Sequence, residues 1–394
     1  MAFSSSPPLV RAVLVTVCGL LFGSLVVGSA TLATTWPLAA LLGTAAGACV
    51  LAVWLPQRTA RSAATKLTAV FAALALIEAG LRLLAPEEVA KTLESDRGRF
   101  AERRGPLGYA PVPDQRARAR ATLGGELLYD VVYTIDAHGF RASPAREATT
   151  DRVLFFGDSV TFGSGLDDGE TLPFAFAEAA GPSCGVANLA FQGYGPHQML
   201  RALELGLPGL VAGAPIRAAV FATNPGHVRR MAGVAAWDWG GPRYVRDGRG
   251  QPVLAGRFGD DPLLRLAHFL INWEAGKTLM RLLVRGDQEL YDAVVVRARD
   301  LLRERYGAPL FVLMWDRAGG ADEAYHAAAA RMARSLRDKG VEVIEVSKLA
   351  AVEEEDFFPV DGHPRADLNR QLATELAAMI PCRPSGTATA RADG

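Results

Sequence analysis

The chain has 394 residues, which is enough for one large domain or for two to three smaller units with ample core. Its 42 lysine and arginine residues balance its 42 aspartate and glutamate residues, so nothing in the charge indicates a nucleic-acid partner. Half of the residues are hydrophobic, a high fraction for a chain that is soluble throughout. That excess is concentrated near the N-terminus.

The N-terminal region contains three apolar segments, which predict a membrane anchor of three transmembrane helices over residues 1–85. The segments are 12–33, 37–55 and 67–84. The first is long enough to cross a bilayer and the second is marginally so. A cleavable signal peptide is the alternative for the first segment. It is the weaker explanation because the hydrophobic run is long for a signal and two further apolar segments follow.

Basic residues predict the orientation of this anchor. Arg58, Arg61 and Lys66 lie between the second and third apolar segments and mark that loop as cytoplasmic, since cytoplasmic loops carry an excess of lysine and arginine. The third helix then delivers the chain after Leu84 to the outside. We therefore expect a multi-pass protein of the cell membrane whose larger part is extracytoplasmic.

One acidic residue interrupts the third apolar segment. Glu78 lies four residues before Arg82, so the two side chains share a helix face and are able to pair. An ionisable residue within a membrane segment is a candidate functional group. A pairing or packing role between helices is the alternative.

The four cysteines fall into two pairs. Cys18 and Cys49 lie inside apolar segments, where cysteine serves as a small packing residue. Cys184 and Cys382 lie in the outer part, where an oxidising compartment permits a disulfide. Sequence spacing alone does not show that their Cα atoms approach each other, so a disulfide and two free thiols both stay open.

Residues 86–125 are rich in charge, proline and glycine, which predicts a juxtamembrane linker. From residue 126 to 382 predicted strands alternate with helices, a pattern typical of a parallel, doubly wound α/β sheet. A strand over 127–134 precedes this sheet. The strands expected in the sheet are Val153–Phe156, Val186–Ala190, Ala218–Ala222, Leu310–Met314 and Val341–Val346. Residues 383–394 are expected to form a disordered tail.

An insertion of roughly eighty residues separates the third and fourth strands of this sheet. It contains a predicted hairpin around Asp247–Gly250 and two predicted helices, over about 261–284 and 288–306. Long insertions at the carboxyl edge of a sheet commonly shape a substrate site.

The stretch RVLFFGDSVTFGSG, residues 152–165, is the most informative of the chain. It predicts a short buried strand, a tight turn and a helix start. Ser159 then lies at the carboxyl end of a strand, where open α/β sheets bind ligands, and at the positive end of a helix. A serine needs a base to become a nucleophile. The sequence offers His363, in the loop before the last helix, with Asp361 two residues upstream to orient it. We expect structural or surface roles for His138, His197, His268 and His326.

Four sequence blocks occur in the order seen in the GDSL/SGNH hydrolase superfamily, and together they carry a resemblance over residues 131–380. The blocks are Gly157-Asp158-Ser159, Asn188-Leu-Ala-Phe-Gln-Gly193, Phe-Ala-Thr-Asn224 and Asp361-Gly-His363-Pro. The resemblance implies the SGNH hydrolase fold, a flavodoxin-like doubly wound parallel sheet. It also implies Ser159 as nucleophile, His363 as base and Asp361 as its partner. The oxyanion hole implied is the backbone N–H of Ser159, the N–H of Gly193 and the side chain of Asn224.

Two departures from the family pattern matter. The commonest spacing has an aspartate three residues before the histidine, and here that position is Val360. The D-x-H spacing of Asp361 resembles that of extracytoplasmic alginate-acetylating relatives. The third block lacks the usual Gly-x-Asn-Asp, so Asn224 is either an oxyanion donor or a cap at a strand end. Asp158 and His227 are further residues that either line the site or serve a turn and a polar loop.

These observations predict an extracytoplasmic, membrane-anchored serine esterase that hydrolyses an ester, such as an O-acyl group on a glycan or lipid, through an acyl-enzyme. One alternative is an O-acyltransferase that modifies an extracytoplasmic polysaccharide with a membrane partner supplying the acyl group. Another is a non-catalytic glycan-binding module. The sequence has no Cys/His cluster with zinc spacing and no GxxxxGK phosphate loop, so we expect no metal and no cofactor.

Overall fold

The computed structural model describes residues 41–48, 58–84, 91–95, 100–102, 105–144, 146, 149–211, 213–271, 273–284 and 286–383. The chain divides into two compact units, one formed by residues 1–87 with 266–283 and one by residues 88–265 with 284–394. The predicted membrane segment 12–33 and most of 37–55 lie outside the described residues, as does nearly all of the predicted tail.

Twelve strands are present in the part of the chain that the structure describes. They are β1 (Lys91–Ser95), β2 (Ala101–Glu102), β3 (Ala110–Pro111), β4 (Gln115–Leu123), β5 (Glu126–Ile135), β6 (Asp151–Phe156), β7 (Cys184–Asn188), β8 (Ile216–Thr223), β9 (Pro242–Arg246), β10 (Pro252–Arg257), β11 (Leu310–Met314) and β12 (Glu342–Glu345).

Helices of one turn to more than seven turns separate these strands, and residues 41–48 are helical as well. The helices are α1 (Arg58–Leu84), α2 (Ser159–Phe162), α3 (Leu172–Ala180), α4 (Pro196–Glu204), α5 (Gly226–Arg230), α6 (Pro262–Leu270), α7 (Glu274–Leu283), α8 (Gln288–Tyr306), α9 (Glu323–Asp338), α10 (Val346–Leu349) and α11 (Ala366–Met379). Short 3-10 turns occur at Asp168–Glu170, Leu207–Val211, Ala236–Asp238, Phe258–Asp260 and Glu354–Asp356.

The larger unit is built on a sheet of five parallel strands in the order β12-β11-β8-β6-β7. Numbered along the chain, this order is 5-4-3-1-2, the flavodoxin-like arrangement, so the predicted parallel, doubly wound sheet is confirmed. The strands are apolar on both faces, because helices cover both. In β6, for example, Val153 to Phe156 are all buried. Helices α4, α8 and α9 contribute to the core on one face, and α3 and α11 to the core on the other.

A second sheet, antiparallel and of order β1-β4-β5, precedes the parallel one. The sequence predicts a linker over 86–125, whereas the structure has β4 over Gln115–Leu123, paired along its length with β5. The segment QRARARATL carries several arginines, yet its small and charged residues alternate with a period of two, as in a strand with one buried face. The alanines at 117, 119 and 121 are buried, while Arg116 and Arg118 are exposed.

The insertion after β8 contains the expected hairpin, in which β9 and β10 pair antiparallel. Two helices, α6 and α7, replace the single predicted helix over 261–284. The break has a non-local cause, because Glu78 of α1 accepts hydrogen bonds from the backbone N–H groups of Glu274 (2.9 Å) and Ala275 (3.0 Å). The first N–H groups of a helix lack partners within it, so this carboxylate caps α7.

In the described residues one helix, α1, is long and apolar enough to cross a membrane. Its 27 residues extend about 40 Å, more than the roughly 30 Å of a bilayer core. The helix begins at Arg58, so Arg58 and Lys66 belong to its first turns and not to a preceding loop. Glu78 also accepts a hydrogen bond from Arg82 at 2.9 Å, the pairing that their spacing predicts. The described contacts of Glu78 thus pair it with Arg82 and join α1 to α7, which is a role between helices.

Cys184 and Cys382 form a disulfide. Cys184 is the first residue of β7. Cys382 is the third residue after the end of α11 at Met379. Their Cα atoms are 5.5 Å apart, within the usual range for bonded cysteines. The bond ties the C-terminal end of the larger unit to an edge strand of its parallel sheet.

Candidate active site

Ser159 lies in the turn that follows β6, at the carboxyl edge of the parallel sheet. The turn requires glycine at 157, because a Cβ there would come within 2.3 Å of the Thr161 hydroxyl oxygen. Helix α2 then makes a single turn and ends at Gly163 in the left-handed conformation. A helix of four residues has only a weak dipole, so the positive helix end expected from the sequence contributes little here.

Ser159 and His363 are brought together from positions 204 residues apart. The Oγ atom of Ser159 lies 2.8 Å from Nε2 of His363. The other ring nitrogen of His363, Nδ1, lies 3.2 Å from Oδ1 of Asp361. A serine, a histidine and a carboxylate in this order have the geometry that would let the histidine act as a base and the carboxylate orient it.

The loop that carries His363 explains how an aspartate at the unusual spacing reaches the ring. Val360 has a φ of +63°, a left-handed conformation that is rare for a β-branched residue. Its side chain is 67% exposed, whereas the side chain of Asp361 is 7% exposed. The N–H of Phe358 donates to the carbonyl of His363 at 2.9 Å and closes the loop. The sharp turn at Val360 therefore turns residue 360 outward and residue 361 toward the histidine.

Gly193 lines the same cavity as Ser159. Its φ is +79°, and a Cβ there would lie 2.5 Å from Nε1 of Trp237 and 2.7 Å from the hydroxyl oxygen of Tyr109. Both the backbone conformation and the space thus require glycine. The turn before it is held by Asn188, whose side-chain amide donates to the carbonyl of Thr161 at 3.0 Å.

Asn224 directly follows β8, the strand beside β6. Its Oδ1 accepts from the N–H of Gly226 at 2.9 Å, which is a local cap at the strand end. Its Nδ2 lies 3.4 Å from Oδ2 of Asp158. An amide nitrogen carries two N–H groups, and this contact uses one of them. Asn224 is therefore both a cap and a neighbour of the nucleophile's turn, although its side chain does not line the cavity.

Asp158 and His227 belong to a buried polar network. Asp158 accepts from the N–H of Val160 at 3.1 Å, and its Oδ2 lies 3.0 Å from Nε2 of His227. On the other side of the ring, Nδ1 of His227 lies 3.0 Å from the hydroxyl of Thr223. That hydroxyl in turn lies 2.9 Å from the hydroxyl of Tyr291. His227 is thus a partner of the turn and not an exposed loop residue.

Arg230 is a site residue that the sequence reasoning missed. Its guanidinium lies 2.9 Å from Oδ2 of Asp158, and its side chain lines the cavity. Burial alone would raise the pKa of Asp158, but the charge of Arg230 and the hydrogen bond from His227 hold that pKa well below its usual value. Burial, together with the charge of Arg230, lowers the pKa of His227 to about 4. The three-residue spacing of His227 and Arg230 on one helical turn is the signal that could have found Arg230.

The remaining histidines have other surroundings. His197 is buried and lies 2.6 Å from Oδ2 of Asp238. His326 lies on the exposed side of α9, next to Glu323. Among the residues that the structure describes, no group of three or more His, Cys, Asp or Glu side chains is arranged to hold a metal ion.

A cavity of about 480 Å³ adjoins the serine and the histidine. Both side chains lie in its wall, as does Asp361. Aromatic rings form much of the remaining wall. They belong to Phe100, Tyr109, Tyr129, Tyr133, Phe191 and Trp237.

Comparison with known proteins finds no matching family model and no matching curated protein. Similar solved structures are GDSL-like lipases, aryl esterases and carbohydrate acetylesterases, the kind of protein that the sequence blocks resemble. One is a carbohydrate acetylesterase family member from Sinorhizobium meliloti, with 14% identity, a TM-score of 0.35 and coverage of 59% of this chain and 97% of that chain.

A GDSL-like lipase from Bacteroides thetaiotaomicron has 9% identity and a TM-score of 0.34, covering 61% of this chain and 91% of that chain. The aryl esterase of M. smegmatis has 13% identity and a TM-score of 0.33, covering 59% of this chain and 98% of that chain. Similarity at this level carries no statement about what this chain acts on. The case for an activity therefore depends on the geometry of the site.

Proposed function

We propose that this chain is a membrane-anchored serine esterase whose catalytic unit faces the outside of the cytoplasm. The observation that carries the proposal is the 2.8 Å contact between Ser159 and His363, extended to Asp361 at 3.2 Å, in the wall of a cavity. A serine hydroxyl is a weak nucleophile unless an adjacent base takes its proton. Here the base, its orienting carboxylate and a space for a substrate all meet at one hydroxyl.

The reaction proceeds through an acyl-enzyme. The Oγ atom of Ser159 attacks the carbonyl carbon of the ester, and its proton moves to Nε2 of His363. The tetrahedral intermediate then expels the alcohol, which takes that proton from the imidazolium. Water attacks the acyl-serine next, giving its proton to His363, and the carboxylic acid leaves as Ser159 regains its proton. Asp361 holds the ring in one tautomer and stabilises the imidazolium formed in both halves.

The oxyanion is held by the backbone N–H groups of Ser159 and Gly193, which both line the cavity, and not by the amide of Asn224, whose side chain lies outside the cavity wall. The position of Gly193 in the wall of the cavity that holds Ser159 supports this role. Donors fixed in advance toward a developing negative charge are usually the largest catalytic contribution, and loss of one costs about 100-fold to 1000-fold in kcat.

Three features support the proposed location of the catalytic unit. Helix α1 is able to span a membrane, and Arg58 and Lys66 lie in its first turns, which favours a cytoplasmic start. The disulfide between Cys184 and Cys382 is suited to an oxidising compartment. A reporter that is active only outside the cytoplasm should be active when fused after Glu88 and inactive when fused after Arg61. The reverse pattern would overturn the orientation.

The proposed activity is tested with the purified full chain in detergent and p-nitrophenyl esters as substrates. Ser159→Ala and His363→Ala should each reduce turnover to near the rate without enzyme, because members of a triad act as a unit. Thr374→Ala is the matched control, since it removes an exposed hydroxyl of α11 that lies outside the cavity wall and leaves Ser159 in place. Wild-type turnover by Ser159→Ala would overturn the proposal.

A fluorophosphonate that labels active serines gives a second readout. Mass spectrometry should locate the adduct on Ser159, and the His363→Ala variant should label at least 100-fold more slowly, by the size of a general-base contribution. A soluble glycan added as an acceptor should leave the yield of free carboxylic acid unchanged if water is the acceptor. Labelling of another serine would contradict the assignment of the nucleophile.

A further inference from the structure

The cavity next to Ser159 is larger than an acetyl group requires. Its volume is about 480 Å³, roughly three times that of a 150 Å³ apolar cavity that accommodates one benzene molecule. This is the size range of sites that take whole small ligands. A substrate with only an acetyl group beside the scissile bond would leave much of this space to water.

The space exists because one strand presents alanine where larger residues would fill it. Ala117 and Ala119 are both 4% exposed and lie in the cavity wall. They alternate along β4 with the exposed Arg116 and Arg118. Positions that face a packed core on a strand usually carry valine, isoleucine or an aromatic residue. The alanine face of β4 is therefore the feature that keeps the cavity open.

Two tyrosines of the wall, Tyr109 and Tyr133, use their hydroxyl groups in hydrogen bonds to the backbone. The hydroxyl of Tyr133 accepts from the N–H of Gly165 at 2.9 Å. The hydroxyl of Tyr109 donates to the carbonyl of Gln192 at 2.8 Å. Both polar ends are thus bound to backbone, so the parts of these residues left for a ligand are their apolar ring faces.

Other polar side chains in the wall also bond to the protein. The amide of Gln192 donates to the hydroxyl of Ser164 at 2.9 Å. Arg230 pairs with Asp158 at 2.9 Å, and Nε of Arg118 donates to Asp130 at 2.6 Å. The wall thus offers rings and methyl groups beside polar side chains that already have partners in the protein, so the hydroxyl groups of a sugar ring would give up hydrogen bonds to water there. An apolar group loses nothing there and gains from burial.

We propose that the substrate is an ester that carries a large apolar group, of about six to eight carbons or an aromatic ring, and that this group occupies the cavity lined by Ala117 and Ala119. This rests on the proposed esterase function and adds a substrate class to it. The group belongs to the acyl half or to the alcohol half of the ester, and the two cases are separated by experiment.

The first test uses the unmodified full chain and two series of esters. One series varies the acyl group of p-nitrophenyl esters from acetate to octanoate and includes benzoate. The other varies the alcohol of acetate esters over the same lengths. Each buried methylene contributes about a threefold to fourfold gain in kcat/KM. In one of the two series, kcat/KM should therefore be at least tenfold higher for the six-carbon ester, or for the aromatic ester, than for the two-carbon ester.

The second test fills the cavity. Ala119→Leu should lower the ratio of six-carbon to two-carbon kcat/KM at least tenfold, because the leucine takes space that only the longer group uses. Arg116→Leu is the matched control, since residue 116 lies on the same strand and faces outward. It should leave the ratio unchanged.

A third measurement does not depend on how a variant folds. Inactivation of the wild-type chain by a hexyl phosphonofluoridate should be at least tenfold faster than by the methyl compound, since the alkyl group has to enter the cavity as the serine is modified. Turnover that depends on Ser159 but shows no preference in either ester series, and no difference between the two inhibitors, would overturn the apolar-group proposal and leave the esterase intact. Absence of any turnover or labelling at Ser159 would instead count against the proposed function.

Discussion

Asp158 and His227 meet at 3.0 Å in a fully buried contact, one residue before the nucleophile. Nε2 of His227 also lies 2.9 Å from Nη1 of Arg230, and its Nδ1 lies 3.0 Å from the hydroxyl of Thr223, so the ring contacts a carboxylate, a guanidinium and a hydroxyl at once. The neutral ring thus links β8 to the turn that holds Ser159. The charge of Asp158 is balanced by Arg230 and not by the histidine.

This network predicts a specific loss of stability in acid. The pKa of His227 is lowered from 6.5 to about 4 in the folded chain. Between these values the unfolded chain binds a proton on this side chain and the folded chain does not, so the free energy of unfolding falls as the pH drops from 7 to 4. The His227→Gln variant keeps an N–H donor but has no titrating group at this position. Its free energy of unfolding should therefore fall by about 3 kcal/mol less than that of the wild type between pH 7 and 4.

The measurement is urea unfolding followed by circular dichroism at several pH values between 4 and 8. Above pH 7 the side chain is neutral in both states, so the difference in stability between the variant and the wild type should be constant there. Below pH 6.5 the plots of unfolding free energy against pH should converge, because the wild type loses more stability than the variant. Curves that stay parallel down to pH 4 would contradict the neutral, buried histidine.

The carboxylate position in the triad gives a second prediction. Asp361→Asn should lower kcat by about 100-fold to 10,000-fold, because the ring loses its preferred tautomer and the stabilisation of its charged form. A double variant, Val360→Asp with Asp361→Asn, moves the carboxylate to the commoner family position. It should not restore the rate, since residue 360 points outward at a φ of +63°. A recovery of more than tenfold would show that the loop readily presents either residue to His363.

Much of this site could be predicted from the sequence because its signals are local. The continuous apolar run of β6 and the glycine after it are typical of a strand and a tight turn, and they fixed the position of Ser159. The alternation of strands and helices predicted the parallel sheet, whose carboxyl edge gathers residues 159, 224 and 363. A D-x-H motif in a loop before a helix selects His363 as the candidate among six histidines, and its ring lies 2.8 Å from Oγ of Ser159.

The rest depends on contacts that no local pattern displays. The strand β4 was hidden because its outward arginines dominate a count of charges, while its inward alanines have little hydrophobicity. The break between α6 and α7 depends on Glu78, almost two hundred residues earlier in the chain. Likewise, Arg230 acquires its role only when β6 and β8 lie side by side, which brings its charge to Asp158.

A third prediction concerns the close approach at Gly193. Gly193→Ala should lower kcat at least 100-fold, because the new Cβ collides with Trp237 and Tyr109 and displaces the N–H that we propose binds the oxyanion. The left-handed φ adds a strain of about 1 kcal/mol to the folded state. Gly209→Ala is the matched control, since a Cβ there meets no atom within 4 Å. Equal ester turnover by the two variants would remove Gly193 from the oxyanion hole.

The last prediction concerns the disulfide between Cys184 and Cys382. It closes a loop of 198 residues, and the chain-entropy model gives such a bond a stabilisation of about 5 kcal/mol, less any strain. Cys184→Ser should therefore lower the free energy of unfolding by several kcal/mol. Turnover of the folded variant should stay near that of the wild type. Cys184 lies at the amino ends of the parallel strands, whereas Ser159 lies at their carboxyl ends.

Non-reducing mass spectrometry of protein recovered from its native compartment should yield the cross-linked pair of peptides. The Cys382→Ser variant and the reduced wild-type chain should match Cys184→Ser in stability, since each lacks the same bond. If the three differ, the effect of Cys184→Ser comes from its buried packing position and not from the cross-link. Two free thiols in the recovered protein would contradict both the bond and the oxidising location of this unit.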